Sequence, residues 1–296
     1  MAFTNKDVMD LRAKTGVGMM DCKKALTEAD GDMEKAVEIL REKGMATSVK
    51  RAGKIASQGI VEAYTQGNVA VLLEVNCESD FVARGAQYKD FVVEVAKYIA
   101  NNDVADVEQV KTAMADLLAE TIAKIGEKID IRRYAKYVVG ADTKVDTYIH
   151  MGGKIGVAVE TSANASDELT HDIALQIAAA SPLYVGIADV PAAEVEKERE
   201  IQKATALNDE KNANKPPQVI EKMVEGRINK FFKEICLVEQ PFVKDPAVAV
   251  KQVLKNAGDV QVIKFTRFVM GEGLEKKEEN LANEVEEQIA KAKANN

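Results

Sequence analysis

The 296-residue sequence predicts an α+β protein, on three observations. Residues 4–43 show helical spacing throughout. Two later stretches each read as a β-hairpin followed by an apolar helix, and they match position for position. Between them and the C-terminus, two charged helices flank a polar turn. The predicted architecture is a three-helix N-terminal module (1–54) followed by a duplicated α+β core with antiparallel sheets. Its first half spans 55–140 and its second 141–264. An antiparallel helical hairpin at 187–232 interrupts the second half, and a C-terminal helical module covers 265–296.

The N-terminal module is justified helix by helix. Thr4-Asn-Lys-Asp7 offers an N-cap, and Val8 and Leu11 follow at helical spacing. Thr15-Gly-Val-Gly18 breaks that helix, and residues 19–29 restart it with Met20, Ala25 and Leu26 along one side. Asp32 caps a third helix over 34–43, and Gly44 is expected to stop it. The pattern resembles the ubiquitin-associated fold, in which a Gly-containing loop ends the first helix and exposes apolar side chains. Val17, Met19 and Met20 are the corresponding partner-binding candidates; the competing reading is that they only pack the module. Residues 46–57 carry Lys50, Arg51 and Lys54 and read as a linker or short helix.

In the core, 59–64 and 69–76 read as strands joined at Gln66-Gly-Asn68. The continuous apolar run of the second strand predicts burial on both faces. A loop over 77–87 follows, then helices over 88–101 and 107–126, then a strand over 129–139. The second copy has strands at 145–150 and 155–161 and a helix at 167–180. Gly67-Asn-Val-Ala-Val-Leu-Leu-Glu-Val75 aligns with Gly153-Lys-Ile-Gly-Val-Ala-Val-Glu-Thr161. The first copy holds roughly five more residues between strand and helix, including Ser79-Asp-Phe-Val82. Extra residues that closure of the fold does not require tend to carry function. Residues 191–207 and 218–232 read as the two helices of the hairpin, with Val195 and Ile201 as a thin seam. Residues 260–270 alternate as a strand able to complete the second sheet, and a charged helix is expected over 280–292.

Composition bounds the function. Aromatics are 5% and Trp is absent, which argues against a carbohydrate site or a base-stacking surface. The net charge of −8 gives nucleic acid no obvious hold. Three scattered cysteines without a C-x-x-C fit a reducing cytoplasm, and neither histidine has metal-ligand spacing. No apolar run approaches a membrane span, and the N-terminus has no apolar signal core. No P-loop, nucleophile elbow, zinc-protease or dinucleotide motif is present. No cofactor, metal or catalytic centre is therefore expected. The residues alone point to a modular binding protein with one effector loop.

Two segments then carry a resemblance. Leu11-Arg-Ala-Lys-Thr-Gly-Val-Gly-Met-Met-Asp-Cys-Lys-Lys-Ala-Leu26 and Glu74-Val-Asn-Cys-Glu-Ser-Asp-Phe-Val-Ala-Arg84 resemble the two signatures of the elongation factor Ts family, in the right order. The module order is similar over essentially the whole chain. Ser79 stands where the family usually has Thr, and it keeps the hydroxyl. The resemblance implies a guanine nucleotide exchange factor, not an enzyme, that binds the GTPase elongation factor Tu and speeds GDP release. It implies no direct contact with nucleotide, nucleic acid or membrane. The N-terminal module and first core unit would meet the GTPase domain, and the second core unit another domain. Ser79, Asp80, Phe81 and Val82 would form the turn that disturbs the partner's Mg²⁺ site. His150, Gly152 and Gly153 are further partner-binding candidates, and self-association is expected, if anywhere, at the 187–232 hairpin. The competing class is a ubiquitin-associated-type adaptor without exchange activity, which gives no reason for the Asp80-Phe81 pair.

Overall fold

The computed structural model describes residues 3–15, 17–212 and 215–275. At the N-terminus, α1 (Asn5–Thr15) begins where Thr4 and Asp7 exchange hydrogen bonds, and α2 (Met19–Glu28) follows. Asp32 accepts from the backbone N–H groups of Glu34 and Lys35 at 2.9 and 3.0 Å and opens α3 (Met33–Arg51). Leu11, Cys22, Leu26, Ala36 and Leu40 form the small core of these helices.

The first core unit starts with the antiparallel pair β1 (Gln58–Gln66) and β2 (Val69–Cys77). A short helix α4 (Asp80–Arg84) leads into α5 (Ala86–Asn101). The single helix expected over 107–126 is two, α6 (Val107–Ala113) and α7 (Ala115–Ile125). They part at Met114 (φ −98°, ψ 8°), and the change of direction lets Val110, Met114 and Ile122 all reach one core. β3 (Ile129–Val138) pairs with β2, giving the order β1-β2-β3.

Gly44 does not stop α3. It lies mid-helix, where a Cβ would sit 3.1 Å from the Ala119 carbonyl oxygen and from Ala123 Cβ of α7. The absent side chain lets α3 lie close on α7, and an Arg41–Asp116 ion pair joins them. The segment read as a linker or short helix is, as far as Arg51, the last turns of α3.

The second unit repeats the plan. β4 (Thr143–His150) and β5 (Ile155–Ser162) form a hairpin, and α8 (Asp167–Ala180) follows, capped by Ser166. α9 (Ala192–Asn208) and α10 (Pro217–Ile235) form the helical hairpin. Its seam is Ala206, Ile220, Val224 and Ile228; Ile201, expected inside, is half exposed. A short β6 (Pro241–Phe242) and β7 (Asp245–Ala249) ladder precedes α11 (Val250–Asn256). β8 (Val262–Val269) then pairs with β5, giving β4-β5-β8. The second sheet thus runs past the expected boundary at 264, because β5 needs a full-length partner from Ile155 to Thr161. The helix expected over 280–292 lies outside the described residues.

The two sheets pack face to face through Val61, Leu72 and Tyr137 against Ala158 and Phe268. α5 covers the outer face of the first sheet and α8 that of the second. This layering explains the apolar run of β2: Val71, Leu73 and Val75 face the helices, while Ala70 and Leu72 face the other sheet. The duplication extends to fine detail. Glu74 and Glu160 occupy matching, buried positions on the middle strands, each opposite a cation on the third strand. A register shift follows each of them.

Candidate functional site

The two copies part company after the middle strand. β5 reaches α8 through Ala163-Asn-Ala-Ser166, whereas β2 leads through Glu78 and Ser79 into α4. The expected loop over 77–87 is therefore largely helical. Ser79 is extended (φ −123°, ψ 154°), and its Oγ accepts from the Val82 N–H at 3.4 Å. Ala83 is buried and Val82 packs on the first core. Phe81, on the opposite side of the turn, is 82% exposed. It does not anchor its own loop. Asp80 pairs with Arg84 at 2.7 Å on the same exposed surface.

The stem beneath Phe81 is held from several sides. Glu127, just after α7, accepts from the Ser79 N–H at 2.9 Å and the Ser79 hydroxyl at 2.7 Å. Glu78 accepts from Arg51 Nη1 at 3.0 and 3.1 Å and from the Lys128 N–H at 2.7 Å. Lys128 Nζ in turn donates to the carbonyls of Ala52 and Lys54. The end of α3 is therefore tied to the stem of the turn. Cys77 Sγ donates to the Ser79 carbonyl at 3.2 Å. Burial, and then the charge of Glu127, push its thiol up to about 12. The thiol remains protonated, as a structural donor.

A groove of about 1210 Å³ lies beside the turn. Phe81, Arg84 and Lys89 line it together with Met151, Gly152 and Lys154 of the β4–β5 turn. Glu78 and Asp80 add negative charge among three basic side chains. Met151 is 71% exposed, so two large apolar side chains stand free at this groove. A wide, open groove with mixed charge and exposed apolar groups suits a protein surface better than a small molecule.

Ser79, Asp80, Phe81 and Val82 thus share one turn, and Gly152 shares their groove. Gly153 is buried instead. Its φ is +95°, its carbonyl accepts from the Val61 N–H at 2.8 Å, and a Cβ would lie 2.9 Å from Ile60 Cβ. It seats the second hairpin on β1. His150 is exposed at the end of β4, its Nδ1 paired with the Tyr148 hydroxyl at 2.8 Å. Val17 is buried in the N-terminal core, as the packing reading had it; Met19 and Met20 are exposed at the start of α2. None of these three lines the groove. Sequence reasoning missed Arg51, Glu78, Glu127 and Lys128. One signal was available for Glu127: a lone carboxylate between the helix-ending Gly126 and a strand.

Comparisons with known proteins add the family. A family model described as "Elongation factor TS" matches residues 78–272. The chain is 46% identical over 301 residues to "Elongation factor Ts" of Clostridium perfringens (strain SM101 / Type A), covering 96% of this chain and 98% of that protein. It is 45% identical over 306 residues to "Elongation factor Ts" of Clostridium novyi (strain NT), covering 97% and 98%.

Proposed function

The chain belongs to the elongation factor Ts family, and on that premise we propose that it is a cytoplasmic guanine nucleotide exchange factor for elongation factor Tu. It binds the GDP-loaded GTPase and promotes GDP release during translation elongation. The observation that carries this reading is Phe81, 82% exposed on a turn whose stem is fixed.

The physics of exchange suits such a turn. GDP is held largely through phosphate and Mg²⁺ contacts, which small displacements weaken. A factor that prefers the emptied GTPase weakens nucleotide binding by the same factor that nucleotide weakens its own. Phe81 supplies about 2–3 kcal/mol when buried in a partner groove. Asp80 can exchange its Arg84 partner for displaced backbone N–H groups or for water around the partner's Mg²⁺. Ser79 and Val82 hold the turn, and Met151 and Gly152 extend the contact. Met19, Met20 and His150 form the flanking partner surface. Val17 and Gly153 act from within, as packing. The hairpin leaves Ile201, Leu207 and Val219 exposed, and self-association is assigned there; loss of dimer in sedimentation after its deletion tests that point.

The test is release of a fluorescent GDP analogue from elongation factor Tu, by stopped flow, with the chain and its Phe81→Ala and Asp80→Ala variants. Strong acceleration, lost largely with Phe81→Ala, is expected. Equal acceleration by all three overturns the role of the turn. No acceleration by any of them overturns exchange and returns the reading to an adaptor.

A further inference from the structure

α4 has five residues, far too few to be stable alone. Phe81 packs on almost nothing, so its placement depends on the stem below it. Within that stem Ser79 is the pivot, since its hydroxyl caps α4. A hydroxyl has one hydrogen and two lone pairs. Its hydrogen is committed to Glu127 Oε1 at 2.7 Å, which leaves only the lone pairs for the Val82 N–H. Glu127 Oε2 takes the Ser79 N–H as well, at 2.9 Å. One carboxylate therefore fixes both the rotamer of the cap and the direction of the backbone entering α4. Gly126, at φ +81°, turns the chain so that Glu127 reaches Ser79 directly after α7.

The second repeat is an internal control. Ser166 caps α8 through the Leu169 N–H at 3.1 Å, and among the described residues no carboxylate holds it. Capping a helix after the middle strand does not need Glu127; it accompanies only the repeat with the extra turn. Glu127 does not line the groove; it touches Ser79, which does.

We propose that Glu127 is a positioning residue for nucleotide exchange, holding the Ser79 cap so that Asp80 and Phe81 are presented in one geometry. The assignment rests on the exchange reading above. It is tested by stopped-flow GDP release at increasing concentrations of the chain and its Glu127→Ala, Glu127→Gln, Phe81→Ala and Glu127→Ala/Phe81→Ala variants. A misplaced contact group costs rate more than affinity, so Glu127→Ala lowers the maximal release rate about tenfold or more with little change in half-saturation. Glu127→Gln keeps one acceptor oxygen and falls between. In the Phe81→Ala background, Glu127→Ala costs much less than it does alone, since most of its effect passes through Phe81 and only the placement of Asp80 remains to be lost. Amide hydrogen exchange of the free chain speeds up over 79–83 in Glu127→Ala and is unchanged in β2. Full rate in Glu127→Ala, losses that multiply in the double variant, or unchanged exchange at 79–83 each overturn the proposal. If the unsubstituted chain fails to accelerate release, the exchange reading falls and takes the proposal with it. That outcome is distinct from an active chain indifferent to Glu127.

Discussion

Glu74 and Cys77 sit three residues apart on one strand and answer different physical demands. Glu74 is fully buried, yet it accepts from Arg132 Nη1 at 2.9 Å, Arg133 Nε at 2.6 Å and the Gly271 N–H at 2.7 Å. A buried carboxylate persists only with such partners. Glu74→Ala strands two half-buried guanidiniums and is expected to cost about 3 kcal/mol, read from urea denaturation. Cys77 gives a pH prediction. Its thiol lies at about 12 in the fold against an ordinary 9.0. As pH rises the unfolded chain loses its proton first, so this stabilisation is intact below pH 9 and is lost between 9.0 and about 12. The denaturation midpoint should fall across that range, and the fall should shrink in Cys77→Ala. Tyr88, also raised by burial, contributes with the same sign. At this scale, Asp80 and Phe81 were legible as candidates, because a carboxylate and an aromatic ring in an unneeded insertion have few structural reasons to be there. Their support by Glu127, 48 residues away in sequence, was not.

Elements were predicted by periodicity and misjudged where packing overrode it. Gly44 looked like a helix stop because glycine is costly inside a helix, by about 1 kcal/mol against Ala. That cost is accepted because α3 lies on α7 at this point. Gly44→Val should separate the two helices and destabilise the docked N-terminal module by about 1–3 kcal/mol, seen as faster hydrogen exchange in α7 and proteolysis near residues 52–57. Val17 had two open readings, partner contact or packing of the module. It is buried, because the three-helix core is small enough to need the side chain.

For the molecule as a whole, the duplicated sheets are the organising fact. They meet so closely at Gly156 that a Cβ there would come within 2.4 Å of Val61 Cγ1 and 2.9 Å of Leu72 Cδ1. Gly156→Leu is expected to cost about 3 kcal/mol and to lower the urea midpoint, because the Val61 and Leu72 side chains it meets are buried between two packed sheets. Phe81→Ala, by contrast, should leave the midpoint unchanged while abolishing most exchange. Together the two variants separate stability from function.

The α+β class, the repeat, the buried middle strands and the candidate turn are all legible from the chain alone. Each is written in local patterns: hydrophobic period, turn residues, and an insertion in one of two matching copies. Folding in three dimensions is what sets the sheets face to face and packs Gly153 against β1. It also brings Arg51 and Glu127 to the stem of the turn. These are contacts between residues far apart in the chain, and spacing along a sequence carries no record of which surfaces will meet.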